Sequence, residues 1–296
     1  MKNTPALGVG IAYIVLTAGC FATSDASIKH LSAALPVLVL LWSRYVFQTA
    51  LMASIQATRR GWRDMLRSGN PRLQALRAIL LLANATCTFV GLWHLPLAEF
   101  TALVMLAPMA STLLARVVLR ERVTPARWAM VLLGFIGMLV IVRPGSGALG
   151  SGIVFPLCGA LFFAAFQIVT NRLSSVDDTV TTNLFSGLGA LLVLCVALAV
   201  APLDVVPTLR HATPSQWMLI AVVGVVATTG QMCMALAIRC APLSTLTPFG
   251  YAQIAFAALI SWVVFKDAPD PWAAAGMGLI AFGGAATVWL NARESA

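Results

Sequence analysis

Residues 95–122 read LPLAEFTALVMLAPMASTLLARVVLRER, and residues 241–267 read APLSTLTPFGYAQIAFAALISWVVFKD. The second stretch is a weaker copy of the first at a constant offset of 146 positions. The most informative matches are Pro96 with Pro242, Thr101 with Thr247, Glu121 with Asp267, Pro125 with Pro271, and Gly137 with Gly283. Matched prolines, glycines and acidic residues in the same order indicate an internal repeat, whereas apolar matches arise easily by chance.

A second register, offset by 142 positions, relates the openings of the two halves. It pairs Gly8 with Gly150, Gly10 with Gly152, Ile11 with Ile153, Phe21 with Phe163, and Leu31 with Leu173. The two registers together predict two related units, residues 1–146 and residues 147–296.

The composition predicts an integral membrane protein. The chain has 296 residues, of which 60% are hydrophobic and 10% are charged, whereas soluble domains carry roughly 25% charged residues. Apolar runs of about 20 residues, the length that spans a bilayer as a helix, recur along the whole chain. We therefore predict an all-α fold of ten transmembrane helices, at about 7–31, 35–57, 73–93, 97–118, 125–142, 150–172, 181–201, 215–237, 243–264 and 271–291.

The charge distribution predicts the topology. The net charge is +9, but the basic residues lie in short loops, which argues against a nucleic-acid-binding face. With a cytoplasmic N-terminus, 14 Lys and Arg residues, Arg77 among them, fall at cytoplasmic ends and 4 at the opposite ends. Arg44 is the one remaining cation, inside a span. This bias predicts that both termini are cytoplasmic.

The repeat and the topology together indicate a carrier. If each unit has five spans, an odd number, the second unit enters the membrane from the opposite side, and the two units are inverted copies. Inverted repeats are a recurring architecture of secondary transporters, in which one unit rocks against the other around a central site.

At this level of detail the chain resembles the EamA family of the drug/metabolite transporter superfamily. The resemblance rests on two five-helix units and on the stretch at 95–122 with its weaker copy, where Ile254 replaces Pro108 and Lys266 replaces Arg120. It covers essentially the whole chain, and it implies that helices 1–4 and 6–9 line a central cavity while helices 5 and 10 are peripheral. Within the family the chain is similar to bacterial aromatic amino acid exporters. That similarity implies export of aromatic and other neutral amino acids with broad specificity; an exporter of drugs or other small metabolites is the alternative.

A belt of uncharged polar and aromatic side chains is predicted near the middle of the membrane. At 1.5 Å per residue, Asn84 lies about 16 Å from the cytoplasmic end of helix 3, and Tyr251 and Gln253 lie about 12–15 Å into helix 9. Such a belt suits a zwitterionic or neutral solute with an apolar part. We predict that the substrate contacts Phe21, Asn84, Met105, Phe163, Gln167, Tyr251 and Gln253. For Asn84 and Gln253, hydrogen bonding between packed helices is the alternative.

Five further residues are predicted to act in gating or structure. Arg44 either binds a carboxylate of the substrate or reaches outward to Asp25 or Glu99. Asp25 and Glu99 lie near the outer helix ends, which favours this pairing over a role in proton coupling. Pro108 and Pro248 interrupt helices 4 and 9 and either open the backbone beside the cavity or form simple packing kinks.

The remaining motifs exclude other classes of protein. The three histidines, His30, His94 and His211, are far apart without an HExxH motif, so we predict neither an enzyme nor a metal site. No sequence GxxxxGK[ST] occurs, which argues against a nucleotide cofactor. The six cysteines are scattered through apolar runs, which favours packing over disulfides. Glycines at 134, 137, 276, 278, 283 and 284 predict close helix packing or a homodimer face on helices 5 and 10.

Overall fold

The fold is described by a computed structural model of the chain. It describes residues 4–60, 68–107, 109–110, 114, 125–143, 150–200, 212–240, 246 and 249–294. Across these ranges the backbone is helical apart from short turns and loops, and no strand occurs within them. Pro108 and Pro248 lie outside the described residues.

The described part forms a bundle of α-helices. The helices are α1 Thr4–Ser32, α2 Val37–Arg60, α3 Pro71–His94, α4 Leu97–Val104, α5 Pro125–Val142, α6 Val154–Leu173, α7 Thr179–Val200, α8 Pro214–Cys240, α9 Ala252–Ile260 and α10 Pro271–Glu294. Six of them, α1, α2, α3, α6, α7 and α8, are long and apolar enough to cross a membrane. This agrees with the predicted all-α membrane class; the count of ten spans stays a prediction.

The loop residues that marked span boundaries in the sequence also fix the helix ends. Asn70 caps α3, because its Oδ1 accepts the backbone N–H of Leu73 at 3.2 Å, and Pro71 occupies the first turn. Asp178 Oδ1 accepts the N–H of Thr181 at 2.7 Å, and Asp270 Oδ1 accepts the N–H of Ala273 at 2.7 Å. Each cap satisfies a backbone donor that the first turn leaves unpaired.

The helices pack in pairs that relate the two halves. Helix α1 packs on α8 and α9, α3 packs on α6 and α7, α2 packs on α7 and α8, α4 packs on α6 and α9, and α5 packs on α10. If each helix of the first half is exchanged for the helix five places later, these pairs map onto one another. This is the packing pattern that a two-fold relation between halves requires.

Helices α5 and α10 pack closely through glycines. A Cβ added to Gly137 would lie 2.9 Å from the carbonyl oxygen of Gly276, and one added to Gly276 would lie 2.7 Å from that of Gly137. The close packing predicted for these two glycines therefore occurs within the chain. Gly278 has nothing within 4 Å of its added Cβ. The outer faces of both helices expose large apolar side chains, among them Phe135 and Phe282, as lipid-facing helices do.

Candidate substrate cavity

A central cavity lies among α1, α2, α3, α4, α6, α8 and α9, and it has two adjoining chambers. The apolar chamber is lined mainly by aliphatic and thioether groups, including Ile14, Ala18 and Met234. The polar chamber is lined by charged, amide and hydroxyl groups: Asp25, Arg44, Asn84, Thr101 and Gln231. Four side chains line both chambers and form a waist between them: Phe21, Met105, Phe163 and Gln253.

All seven side chains predicted to contact the substrate line this cavity. Besides the four of the waist, Gln167 and Tyr251 line the apolar chamber and Asn84 lines the polar chamber. The repeat accounts for the two aromatic rings of the waist, because Phe21 and Phe163 occupy matching positions of α1 and α6. Their role in binding stays a prediction.

The end of α4 brings Met105 to the waist. Helix α4 ends at Val104, and a turn follows at Met105 and Leu106. The sequence supplies a reason, because a proline at position 108 has no N–H to donate to the carbonyl four residues earlier, as a continuing helix requires. Across the cavity, Tyr251 stands at the N-cap of α9.

The five residues predicted to act in gating or structure do not stay together. Asp25 and Arg44 both line the polar chamber, and Asp25 Oδ2 accepts a hydrogen bond from Gln253 Nε2 at 3.3 Å. No ion pair joins Arg44 to Asp25 or to Glu99 in the described part of the chain. Glu99 is half-buried in the first turn of α4, within electrostatic range of Lys29. Pro108 and Pro248 cannot be placed, because both fall outside the described residues.

Several buried polar atoms at the cavity have no hydrogen-bond partner within the described residues. They are Arg44 Nε, Asn84 Oδ1, Thr101 Oγ1, Gln231 Oε1 and Tyr251 Oη. A buried polar group without a partner costs roughly 1–3 kcal/mol. The cavity is therefore suited to bind water or a polar solute that supplies both donors and acceptors.

The cavity is contracted. The volume open to water is about 60 Å³ in the apolar chamber and about 50 Å³ in the polar chamber. One water occupies at least about 10–15 Å³ on this measure, so each chamber has room for a few waters. Neither chamber, as the described residues form it, has room for a whole metabolite.

Sequence analysis missed a second buried arginine, Arg77. The charge count placed it at the cytoplasmic end of helix 3, and the burial of its side chain was not predicted. Arg77 is 1% exposed. Its guanidinium lies 4.5 Å from the ring centroid of Phe166, and Phe166, unlike Arg77, lines the polar chamber.

The guanidinium of Arg77 donates four hydrogen bonds to α6 and α7. Nε donates to Thr170 Oγ1 at 2.9 Å, Nη1 donates to Thr182 O at 3.0 Å and to Ser186 Oγ, and Nη2 donates to Asn183 Oδ1 at 3.3 Å. The run TTNLFS at 181–186, polar within an apolar span, is the sequence signal that points to such a partner. We call Arg77 and its four partners, Thr170, Thr182, Asn183 and Ser186, the Arg77 cluster.

The fold and the cavity together define a class, a multi-pass helical membrane protein with a polar and apolar cavity at the centre of its bundle. The EamA-like transporter family matches residues 8–143 and again residues 150–289. The chain belongs to the EamA-like transporter family.

The relatives of this chain carry small molecules across membranes. A riboflavin transporter of Rhizobium johnstonii is 28% identical over 92% of this chain and 88% of its own length. A pseudopaline exporter of Pseudomonas aeruginosa is 27% identical over 92% of this chain and 93% of its own. An S-adenosylmethionine uptake transporter of Rickettsia prowazekii is 23% identical over 88% of this chain and 86% of its own. These names support a role in small-molecule transport and not in catalysis.

One solved structure has the same fold. A protein crystal structure 20% identical in sequence superposes with a TM-score of 0.69 over 99% of both chains. At this identity the likeness concerns the fold alone.

Proposed function

We propose that this protein is a secondary transporter that moves small metabolites across the bacterial inner membrane by alternating access. The single observation that carries the proposal is the central cavity, where an aromatic and thioether waist joins a polar chamber to an apolar one. A site of this kind binds both the polar groups and the apolar part of a solute. In this proposal the chain has ten spans in two inverted units, with both termini in the cytoplasm.

Two observations support the inverted arrangement. The family matches the chain twice, once in each half, and the principal helix pairs map onto one another when the halves are exchanged. In such an architecture one set of helices rocks against the other around a central site. The contracted cavity then corresponds to a state that must open to one side before solute enters.

We propose amino acids as substrates, with export of aromatic and other neutral ones first. The waist of Phe21, Met105 and Phe163 suits the apolar side chain of such an amino acid. The amides of Asn84 and Gln253 suit the polar end of the same molecule. The relatives favour a second candidate, a different small metabolite, since their names specify riboflavin, pseudopaline and S-adenosylmethionine. A homodimer through the outer faces of α5 and α10 belongs to the same proposal.

Counterflow in proteoliposomes tests the proposal. Purified protein is reconstituted, and exchange of labelled L-phenylalanine, L-leucine, L-threonine, riboflavin and S-adenosylmethionine is measured with and without a pH gradient. We expect saturable exchange of at least one solute, lost in Tyr251→Ala. Tyr251→Phe separates the roles of ring and hydroxyl, because it keeps the ring and removes only the unpaired Oη.

A control variant lies on the outer surface of the bundle. Trp272 is 63% exposed at the start of α10, away from the cavity, so Trp272→Ala should exchange solute at the wild-type rate. A disulfide joining the outer ends of α4 and α9 should stop exchange and leave solute binding intact. Folded, correctly oriented protein that exchanges none of the solutes would refute the proposal.

A further inference from the structure

Arg44 is a buried cation without a hydrogen-bond or ion-pair partner among the described residues. Its side chain is 7% exposed on α2 and lines the polar chamber. Its Nε is buried without a partner, and the guanidinium makes no hydrogen bond or ion pair within the described residues. A charge inside a membrane is costly unless it is paired. Arg77, by contrast, has four protein acceptors, so an unpaired guanidinium is not a general feature of this bundle.

Asp25 supplies the opposite charge in the same chamber. It lies on α1, and its Oδ2 accepts one hydrogen bond, from Gln253 Nε2 at 3.3 Å. Its Oδ1 accepts none within the described part of the chain. Since Asp25 and Arg44 do not form an ion pair with each other, each keeps the capacity to bind a charged group of a solute.

Neutral groups complete the chamber. Asn84 Oδ1, Thr101 Oγ1 and Gln231 Oε1 are buried and have no hydrogen-bond partner among the described residues. Oxygen acceptors of this kind match the N–H groups of an ammonium. The waist adjoins the chamber and offers two aromatic rings and a thioether to an apolar part. A solute with a single charge would leave one of the two buried charges unpaired.

We infer that the polar chamber binds the charged end of a zwitterion, its carboxylate at Arg44 and its ammonium at Asp25, with the apolar part of the solute at the waist. The inference rests on the proposed function and names the substrate class of that cavity. An arginine guanidinium suits the first role because its planar fork donates two parallel hydrogen bonds to a carboxylate. The contracted chamber must widen for this, so the two contacts form in the opened state.

Four matched probes test the inference by competition in the counterflow assay. L-Phenylalanine carries both charges, phenethylamine lacks the carboxylate, 3-phenylpropionate lacks the ammonium, and riboflavin is not a zwitterion. For wild type we expect L-phenylalanine to compete at least about tenfold better than either truncated analogue, the effect of one charge-assisted contact.

The variants assign each charge to its residue. Arg44→Gln should abolish the advantage of L-phenylalanine over phenethylamine and leave inhibition by phenethylamine unchanged. Asp25→Asn should abolish the advantage over 3-phenylpropionate in the same way. Arg44→Lys keeps the charge without the fork and should retain part of the advantage. Arg77→Gln is the matched control, a buried arginine outside the chamber lining, and should leave both ratios unchanged in whatever protein folds.

The outcomes separate this inference from the proposed function. Exchange of riboflavin without competition by any zwitterion would overturn the inference and leave the transporter intact. Equal loss of affinity for L-phenylalanine and phenethylamine in Arg44→Gln would also overturn it, because it would indicate a general structural effect. Folded protein that exchanges no solute would remove the proposed function and the inference with it. If Arg44→Gln does not fold, the analogue ratios of wild type and of Asp25→Asn still decide.

Discussion

Replacement of Arg77 by methionine tests whether the Arg77 cluster stabilises the bundle. Methionine keeps the length and the apolar stem of the side chain and removes the guanidinium. The hydroxyls of Thr170 and Ser186 still donate to the carbonyls of Phe166 and Thr182, at 2.7 and 3.1 Å. Each acceptor in the cluster, however, loses the hydrogen bond that it received from Arg77.

Two opposed effects set the magnitude. Hydrogen bonds between helices in a membrane contribute about 0.6 kcal/mol on average and up to about 1.7, so the four bonds of Arg77 contribute roughly 2–4 kcal/mol. The guanidinium over Phe166 adds about 1 kcal/mol. Against this, methionine avoids the desolvation penalty of a buried charge, which amounts to several kcal/mol. The acceptors in the cluster remain buried after the substitution, and each that lacks a partner costs roughly 1–3 kcal/mol. This cost offsets the avoided desolvation penalty, so the lost hydrogen bonds set the sign.

We therefore expect Arg77→Met to lower the free energy of unfolding by about 2–4 kcal/mol. Arg77→Lys should not restore it, because a single ammonium cannot match a planar fork that reaches acceptors on two helices. The measurement is reversible unfolding in mixed micelles titrated with dodecyl sulfate, followed by circular dichroism. Arg72→Met, at an exposed arginine of the first turn of α3, is the control and should change stability by less than about 0.5 kcal/mol.

A double-mutant cycle checks that the effect belongs to the cluster. Arg77→Met combined with Ser186→Ala should lose less than the sum of the two single losses, with a coupling energy of about 0.5–1.5 kcal/mol. If Arg77→Met is as stable as wild type, desolvation of the guanidinium outweighs its hydrogen bonds. In that case the reasoning about the cluster is wrong.

Two further predictions concern the contact between α5 and α10. Gly276→Ala places a methyl group 2.5 Å from Ile141 Cγ1 and 2.7 Å from the carbonyl oxygen of Gly137, so it should lower the free energy of unfolding by about 1–3 kcal/mol. Gly278→Ala meets no described atom within 4 Å and should leave that free energy unchanged or raise it by up to about 1 kcal/mol. Equal losses in the two variants would refute the packing. The hydrogen bond from Arg143 holds the pKa of Asp270 below its ordinary value. The ionised Asp270 therefore stabilises the fold at pH values above the ordinary pKa of Asp, and this stabilisation is lost as pH falls through the depressed pKa. Asp270→Asn should lower the unfolding midpoint at pH 7 but not at pH 2, and a loss of equal size at both would contradict the ion pair.

The class of fold and part of the cavity lining could be predicted from the sequence, because both leave a regular pattern in it. Apolar runs of membrane length predict helices, and the repeat assigns equivalent positions to Phe21 and Phe163 and to Met105 and Tyr251. If two halves enclose one site, equivalent positions face it together. The match at residues 8–143 and 150–289 agrees with the resemblance seen in the sequence.

Depth along a helix axis proved a poor guide for Asp25. Counted back from Ser32 at the end of α1, Asp25 lies about 10 Å in, and this shallow depth favoured a structural or gating pair over a role in proton coupling. The polar chamber nevertheless includes Asp25, together with Ser24 and Phe21. Rise per residue fixes the distance of a side chain from the helix end and says nothing of how far a cavity reaches toward that end.

The two buried arginines show why a count of charges cannot replace a structure. In the sequence Arg44 and Arg77 differ only in their distance from a predicted helix end, and the one nearer the end was counted with the cytoplasmic helix ends. In the fold both are almost completely buried, and what separates them is their partners. Arg77 meets hydroxyl, amide and carbonyl oxygens from α6 and α7, about a hundred residues away in the chain, while Arg44 meets a cavity. A buried cation with a full set of acceptors holds helices together; one without them remains available to a bound anion.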